Sequence, residues 1–167
     1  MTLAPDIAET APDAEKADAT AGATIQRVLA FHLGTQRYAL PIERVREIQQ
    51  IVAFSEVPSS GSAVVGMVNL RGVVVPAVDM RRVVGLESCE YTLETPMIMT
   101  DVAGQVLALL VDEVQDVFLL DPGCLQESPA LHALSTAMIG VARMSDGLVY
   151  VLDIDALVGP VLAGGPR

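Results

Sequence analysis

The stretch that decides the fold is Gly66-Met67-Val68-Asn69-Leu70-Arg71-Gly72-Val73-Val74-Val75-Pro76-Ala77-Val78-Asp79. Aliphatic and β-branched residues fill both flanks, and such side chains suit a pleated, half-buried strand. The flanks meet at Arg71-Gly72, where glycine permits the positive φ of a tight hairpin turn. Asp79 is placed to cap a short helix over residues 80–84, which Gly85 closes. The run therefore predicts strand, turn, strand and helical cap.

The same grammar extends in both directions. Leu29, Phe31 and Leu33 alternate with Val28, Ala30 and His32, a turn follows at Gly34, and Tyr38, Leu40 and Ile42 alternate again, which predicts a hairpin. Ile42, Val45 and Ile48 recur every third residue with charged residues between them, which predicts a short amphipathic helical turn. Downstream, residues 97–100 and 106–111 flank a turn at Ala103-Gly104, and 114–120 continue as a strand. Residues 139–144 and 148–152 flank Ser145-Asp146-Gly147, and Asp153 can cap a last short helix ended by Gly159-Pro160. Gly140 to Gly159 repeats the pattern and spacing of Gly66 to Gly85. Two lobes on one plan are one reading; chance recurrence of hairpin-plus-cap grammar is the other. Short strands at this spacing favour closed or sandwiched sheets over a parallel α/β sheet.

The 167 residues suffice for one domain with its own core. A net charge of −11 disfavours nucleic acid and anionic membrane surfaces as partners, because both select for excess Lys and Arg. Charges cut every apolar run before the ~18 residues of a membrane span, and the N-terminus lacks a signal-peptide pattern. Cys89 and Cys124 form no CxxC pair and read as idle thiols in a reducing compartment. A cytoplasmic protein is expected. Residues 1–24, rich in Ala, Thr, Asp and Glu, read as a disordered acidic tail, with an Ala-rich helix over 12–23 as the alternative. The folded domain is expected over 25–159, and 160–167 as a flexible end.

Candidate chemistry is sparse. His32 lies in an alternating strand and His132 in a loop, neither with a metal-ligand neighbour at useful spacing. Asp101, Asp112, Glu113 and Asp116 are the densest acidic set, but without a cation loop they read as a solvated strand edge. Ser59, Ser60 and Ser62 read as loop composition, and neither a phosphate-binding loop nor a nucleophile elbow occurs. No catalytic residue, metal or cofactor is expected.

The run through Asn69-Leu70-Arg71-Gly72 closely resembles the signature of the CheW family, the coupling proteins of bacterial chemosensory arrays. Four further stretches fit that family in order: Phe31-His32-Leu33-Gly34 with Tyr38; Ile42 to Ile48; Val111-Asp112-Glu113-Val114-Gln115-Asp116-Val117; and Ile139-Gly140-Val141 through Ile154. The resemblance covers about residues 26–158. It implies a mostly β fold of two small five-stranded β-barrel subdomains with short helices, packed around a shared apolar seam. It also implies a non-enzymatic adaptor without cofactor. Its partners would be the regulatory domain of a CheA-type histidine kinase and the cytoplasmic tip of methyl-accepting chemoreceptors, with the protein recruited from the cytoplasm to receptor arrays. Carried over to this sequence, Arg71, Asn69 and Ile48 are expected to meet the receptor and Val45 and Glu47 the kinase. Gly66, Gly72 and Gly140 are expected to be structural. An adaptor of the same fold in a pilus-motility or second-messenger pathway is the alternative, and a small-ligand-binding β-barrel is another.

Overall fold

The computed structural model describes residues 26–51, 54–56, 62–128 and 134–162. The tail expected at 1–24, Ser59, Ser60, His132 and residues 163–167 lie outside the described residues.

Among the described residues, each half of the chain makes six strands. The first half forms the hairpin β1 (Gln26–Leu33) and β2 (Gln36–Pro41), then β3 (Val45–Gln50), β4 (Phe54–Glu56), β5 (Val64–Leu70) and β6 (Val73–Asp79), and ends in helix α1 (Met80–Val83). The second half forms the hairpin β7 (Pro96–Val102) and β8 (Gln105–Leu110). It continues with β9 (Glu113–Leu120), β10 (Leu125–Gln126), β11 (Met138–Met144) and β12 (Gly147–Leu152), and ends in helix α2 (Ile154–Leu162). The strands form two sheets, ordered β10-β11-β12-β2-β1-β9 and β3-β7-β8-β6-β5-β4. Each has five longer strands and one short edge strand, so the chain is mostly β in two small units, as expected.

The two sheets share one plan down to register. Among the described residues each contains one parallel pair, β2 with β12 and β8 with β6, with Ala39 opposite Val151 and Ala108 opposite Ala77. The Asp79 N–H donates to the Ala63 carbonyl at 2.8 Å, and the Asp153 N–H donates to the Ala137 carbonyl at 2.9 Å. Asp79 caps α1 through the Arg81 N–H, and Asp153 caps α2 through the Ala156 N–H. This agreement favours duplication over chance recurrence. The lobes, however, are not the halves of the chain. Strands β3–β8 form one sheet continuously, whereas the other joins β1–β2 to β9–β12. Each half lends its hairpin to the other half's sheet.

Two local expectations are corrected. Residues 42–48 are not a helical turn throughout: a single 3-10 turn, Ile42–Arg44, leads into strand β3. Strand β3 pairs with β7 from Val45–Thr100 to Gln50–Pro96, with a register shift between Val45 and Glu47. A bulge inserts one residue into the period of two, so apolar residues three apart mimic a helix. The last helix does not stop at Gly159-Pro160 but runs to Leu162, so residues 160–162 belong to the folded part. Buried Leu157, Val158 and Val161 hold it against the core, and this packing overrides the breaker residues.

The central core lies between the sheets. Leu29, Phe31 and Leu33 of β1 meet Ile98 of β7 and Leu107 and Leu109 of β8, with Met80 and Val83 of α1 and Ile154 and Leu157 of α2. Each such side chain contributes about 1.5–3 kcal/mol on full burial. Smaller clusters fill the lobes: Val68, Val75, Met97, Met99 and Leu110 in one, Val28, Ala39, Ala142, Val149 and Val151 in the other. Residues 97–99 thus bury both faces of β7. Aliphatic filling of this kind is what small barrels without a ligand cavity show.

Gly66 and Gly140 occupy matching bulges. A Cβ on Gly66 would lie 2.4 Å from the Ser55 carbonyl oxygen, and one on Gly140 would lie 2.7 Å from that of Gln126. Any side chain there pushes against the backbone of the short edge strand. The predicted result of Gly66→Ala or Gly140→Ala is a loss of about 1–3 kcal/mol in a denaturant titration followed by circular dichroism.

Of the acidic set, Glu113 and Asp116 are exposed on the edge strand β9, as expected, but Asp112 departs from that reading. Asp112 lies in the crossover from β8 to β9 and accepts from Arg81 Nε and Nη2, both at 2.7 Å, and from the Gly34 N–H at 2.7 Å. Asp101 pairs with Arg46 at 3.2 Å and Glu113 approaches His32 at 3.5 Å. Burial works against the Asp112 carboxylate, but the Arg81 guanidinium and the Gly34 amide outweigh it and hold its pKa below the ordinary value of 3.8. A depressed carboxylate pKa adds stability above the unfolded-state pKa and loses it as pH falls through the native one. Asp112→Asn should therefore be less stable than the parent at pH 7, with the gap closing below about pH 4. Urea midpoints measured from pH 7 to pH 2.5 test this; a gap independent of pH would contradict it.

Candidate functional site

The β5–β6 turn carries Arg71 at φ 53° and Gly72 at φ 85°. Two successive positive φ values define the tight hairpin turn whose twist matches its strands. The Asn69 Oδ1 accepts from the Gly72 N–H at 3.0 Å and braces the turn. Asn69 and Gly72 thus set its shape, and Arg71 stands out from it with a side chain 70% exposed.

The structure brings Arg71 to Glu47, two residues expected to meet different partners. The guanidinium binds the carboxylate through both Nη atoms, at 3.1 and 3.0 Å. The Gln49 amide also donates to Glu47 Oε1. Strand β3 stands at the sheet edge, with β7, β8 and β6 between it and β5. The contact therefore requires the sheet to curl until its edge meets the turn. The strands joined by this turn carry exposed apolar residues: Val73 and Val74 are 61% and 64% exposed, and Met67 is 38%. The register sets Val74 opposite Asn69 and Val73 opposite Leu70.

The other predicted residues on β3 divide. Ile48 is 45% exposed, but strand alternation puts it on the opposite face from Glu47. Val45 is half-buried and packs against the central core. Gly66 sits in the bulge beneath β4, and Gly140 lies in the other lobe.

The second lobe does not repeat the pair. Ser145 stands where the first lobe has Arg71, and Asp116 stands where it has Glu47. Its turn is tied instead by Arg37, which binds Asp146 through Nη1 and Nη2 at 3.0 and 2.7 Å. One fold plan thus presents two different surfaces.

Sequence reasoning missed Gln49, Met67, Val73 and Val74. Met67 and Asn69 alternate with Val68 and Leu70, which was the available signal for an outward Met67. The Val73-Val74-Val75 run carries no alternation, so its exposed start was not readable. Another cluster was also missed. Asp79, 1% exposed, accepts from the Arg81 N–H at 2.9 Å, from Ser88 Oγ at 2.6 Å and from the Tyr91 hydroxyl. Burial and the Asp79 bond push the Tyr91 pKa well up. These groups spend their hydrogen bonds fastening the 87–95 connector to the start of α1. Among the described residues no group of three or more His, Cys, Asp and Glu could hold a metal ion, and Cys89 and Cys124 are free thiols. Among them, too, no helix is long and apolar enough to cross a membrane.

Comparison with known proteins joins these features to a family. Residues 27–160 match the family described as CheW-like domain. A chemotaxis protein CheW of Rhizobium meliloti (strain 1021) is 33% identical over 134 residues, covering 79% of this chain and 86% of the relative. That of Klebsiella aerogenes is 28% identical over 141 residues, covering 83% and 85%. The crystal structure of the scaffolding protein TtCheW from Thermoanaerobacter tengcongensis superposes with a TM-score of 0.70 at 23% identity, covering 77% of this chain and 89% of that one. On the match across nearly all of its folded part, the chain belongs to the CheW-like family.

Proposed function

We propose that this chain couples chemoreceptors to a CheA-type histidine kinase, without catalytic activity of its own, by presenting the β5–β6 turn and strand β3 to its partners. The observation that carries this reading is the exposed Arg71–Glu47 pair at a turn whose two strands expose Val73, Val74 and Met67, in a CheW-family fold. Arginine is enriched among the residues that dominate binding energy, and methionine is enriched at interfaces. Arg71 would supply directional bonds to a receptor carboxylate or carbonyl, with Asn69 and Gly72 fixing its turn. Glu47 and Ile48 lie on opposite faces of one strand, which suits a strand shared between two partners. Val45 would act by seating β3 on the core. Recruitment from the cytoplasm to receptor arrays follows from this reading.

Binding calorimetry against the regulatory domain of the cognate kinase and against the receptor's cytoplasmic tip tests the proposal. Binding to neither, across salt conditions, would refute it. Within it, Arg71→Ala should weaken receptor binding by about 1–3 kcal/mol. The melting temperature should barely move, because an exposed ion pair contributes about 0–1 kcal/mol. Arg71→Lys should recover only part of the affinity, since lysine lacks the planar fork. Unchanged receptor affinity in Arg71→Ala would remove this residue from the contact.

A further inference from the structure

Each sheet begins an outer strand directly after a crossover from the other sheet: β3 after the turn Ile42–Arg44, and β9 after Asp112. The β9 crossover is pinned by Asp112 to Arg81, at the start of α1. At the matching place in the other half, the β3 crossover is pinned by Arg44 to Asp155, at the start of α2. Arg44 Nη1 and Nη2 each lie 2.8 Å from an Asp155 carboxylate oxygen. The charges are exchanged: the helix supplies the cation in one latch and the carboxylate in the other. Arg44 also donates from Nη2 to the Asp101 carbonyl at 2.6 Å, and its own carbonyl accepts from Thr100 Oγ1 at 2.6 Å. Every one of these bonds holds the residue immediately before β3, on the side where the bulge interrupts its ladder with β7.

We infer that Arg44 and Asp155 are positioning residues that fix strand β3, so that helix α2 controls the presentation of Glu47 and Ile48. An edge strand has one ladder only, and here the ladder is broken between Val45 and Glu47. The start of the strand therefore depends on side-chain anchorage more than a central strand does. Bidentate arginine–carboxylate geometry fixes direction as well as distance. Asp155 is also well placed electrostatically, in the first turn of its helix, where the aligned peptide dipoles favour a negative group. Release of this latch would free β3 locally and leave the buried core clusters intact.

This inference rests on the proposed role of β3 only for its effect on binding, and the test separates the two. Amide hydrogen exchange is measured on the full chain for the parent, Asp155→Ala and Asp155→Glu, alongside calorimetry with the kinase regulatory domain. Asp155→Ala should speed exchange of the amides in 45–50 by about twofold to fivefold. Exchange in β8 and β12 should stay at the parent rate, and Asp155→Glu should restore most of the protection. Equal exchange at 45–50 in parent and Asp155→Ala overturns the inference, as does a rise spread evenly over all strands. Faster exchange at 45–50 with unchanged kinase affinity upholds the latch and overturns the kinase-contact reading of β3.

Discussion

The shared core between the two sheets is the constraint on which the rest of the molecule depends. Neither half of the chain can complete a sheet with its own hairpin, because β1–β2 is built into the sheet of β9–β12 and β7–β8 into that of β3–β6. The hairpins bring their apolar faces with them. Leu29, Phe31 and Leu33 therefore pack on Ile98, Leu107 and Leu109 across the seam, and the two short helices close its ends. Separating the lobes would expose all of these side chains at once, at a cost far beyond that of any ion pair in the protein. The polar contacts at the seam have a different task. The latches Arg81–Asp112 and Arg44–Asp155 hold the crossovers and set direction, while burial supplies the adhesion.

This division explains how one plan yields two unlike surfaces. The matching glycine bulges, aspartate caps and parallel pairs fix the backbone of both lobes alike. Solvent-facing positions lie outside those constraints and are free to differ. The first lobe uses that freedom for Arg71, Glu47 and the exposed valines, the second for Ser145 and the Arg37–Asp146 tie. The coupling role proposed above calls for distinct faces on one frame, and a repeated fold plan provides them without new architecture.

Much of this was legible in the sequence because local chemistry and the final structure agree. The hairpin turns at Gly34, Arg71-Gly72, Ala103-Gly104 and Ser145-Asp146-Gly147 carry their own φ requirements, and the caps at Asp79 and Asp153 their own bond acceptors. The turn bearing Arg71 was readable for the same reason. What could not be read is set by partners distant in the chain. The β3 bulge disguised a strand as a helical turn. The Leu157–Val161 packing carried α2 through a proline. Glu47 joined Arg71 only because the sheet curls, which no periodicity within 42–48 or 66–79 encodes. The exchange of hairpins was equally hidden, because both halves read alike and nothing in either names the sheet it will enter.

The hairpin exchange also orders events in time as the chain leaves the ribosome. Strands β3–β8 are contiguous, so their sheet has all its parts once Leu110 has emerged. The hairpin β1–β2 is synthesised before that sheet and completed after it, since β9 and β12, which flank it, both lie downstream of β8. Until then its two outer edges are unpaired, and Leu29, Phe31 and Leu33 can cover themselves only against the sheet already formed. Such long-range closure is intrinsically slow. Open strand edges in a waiting intermediate are the surfaces that chaperones recognise and aggregates exploit. The nascent chain is therefore most vulnerable after β3–β8 have folded and before β9 and β12 have arrived.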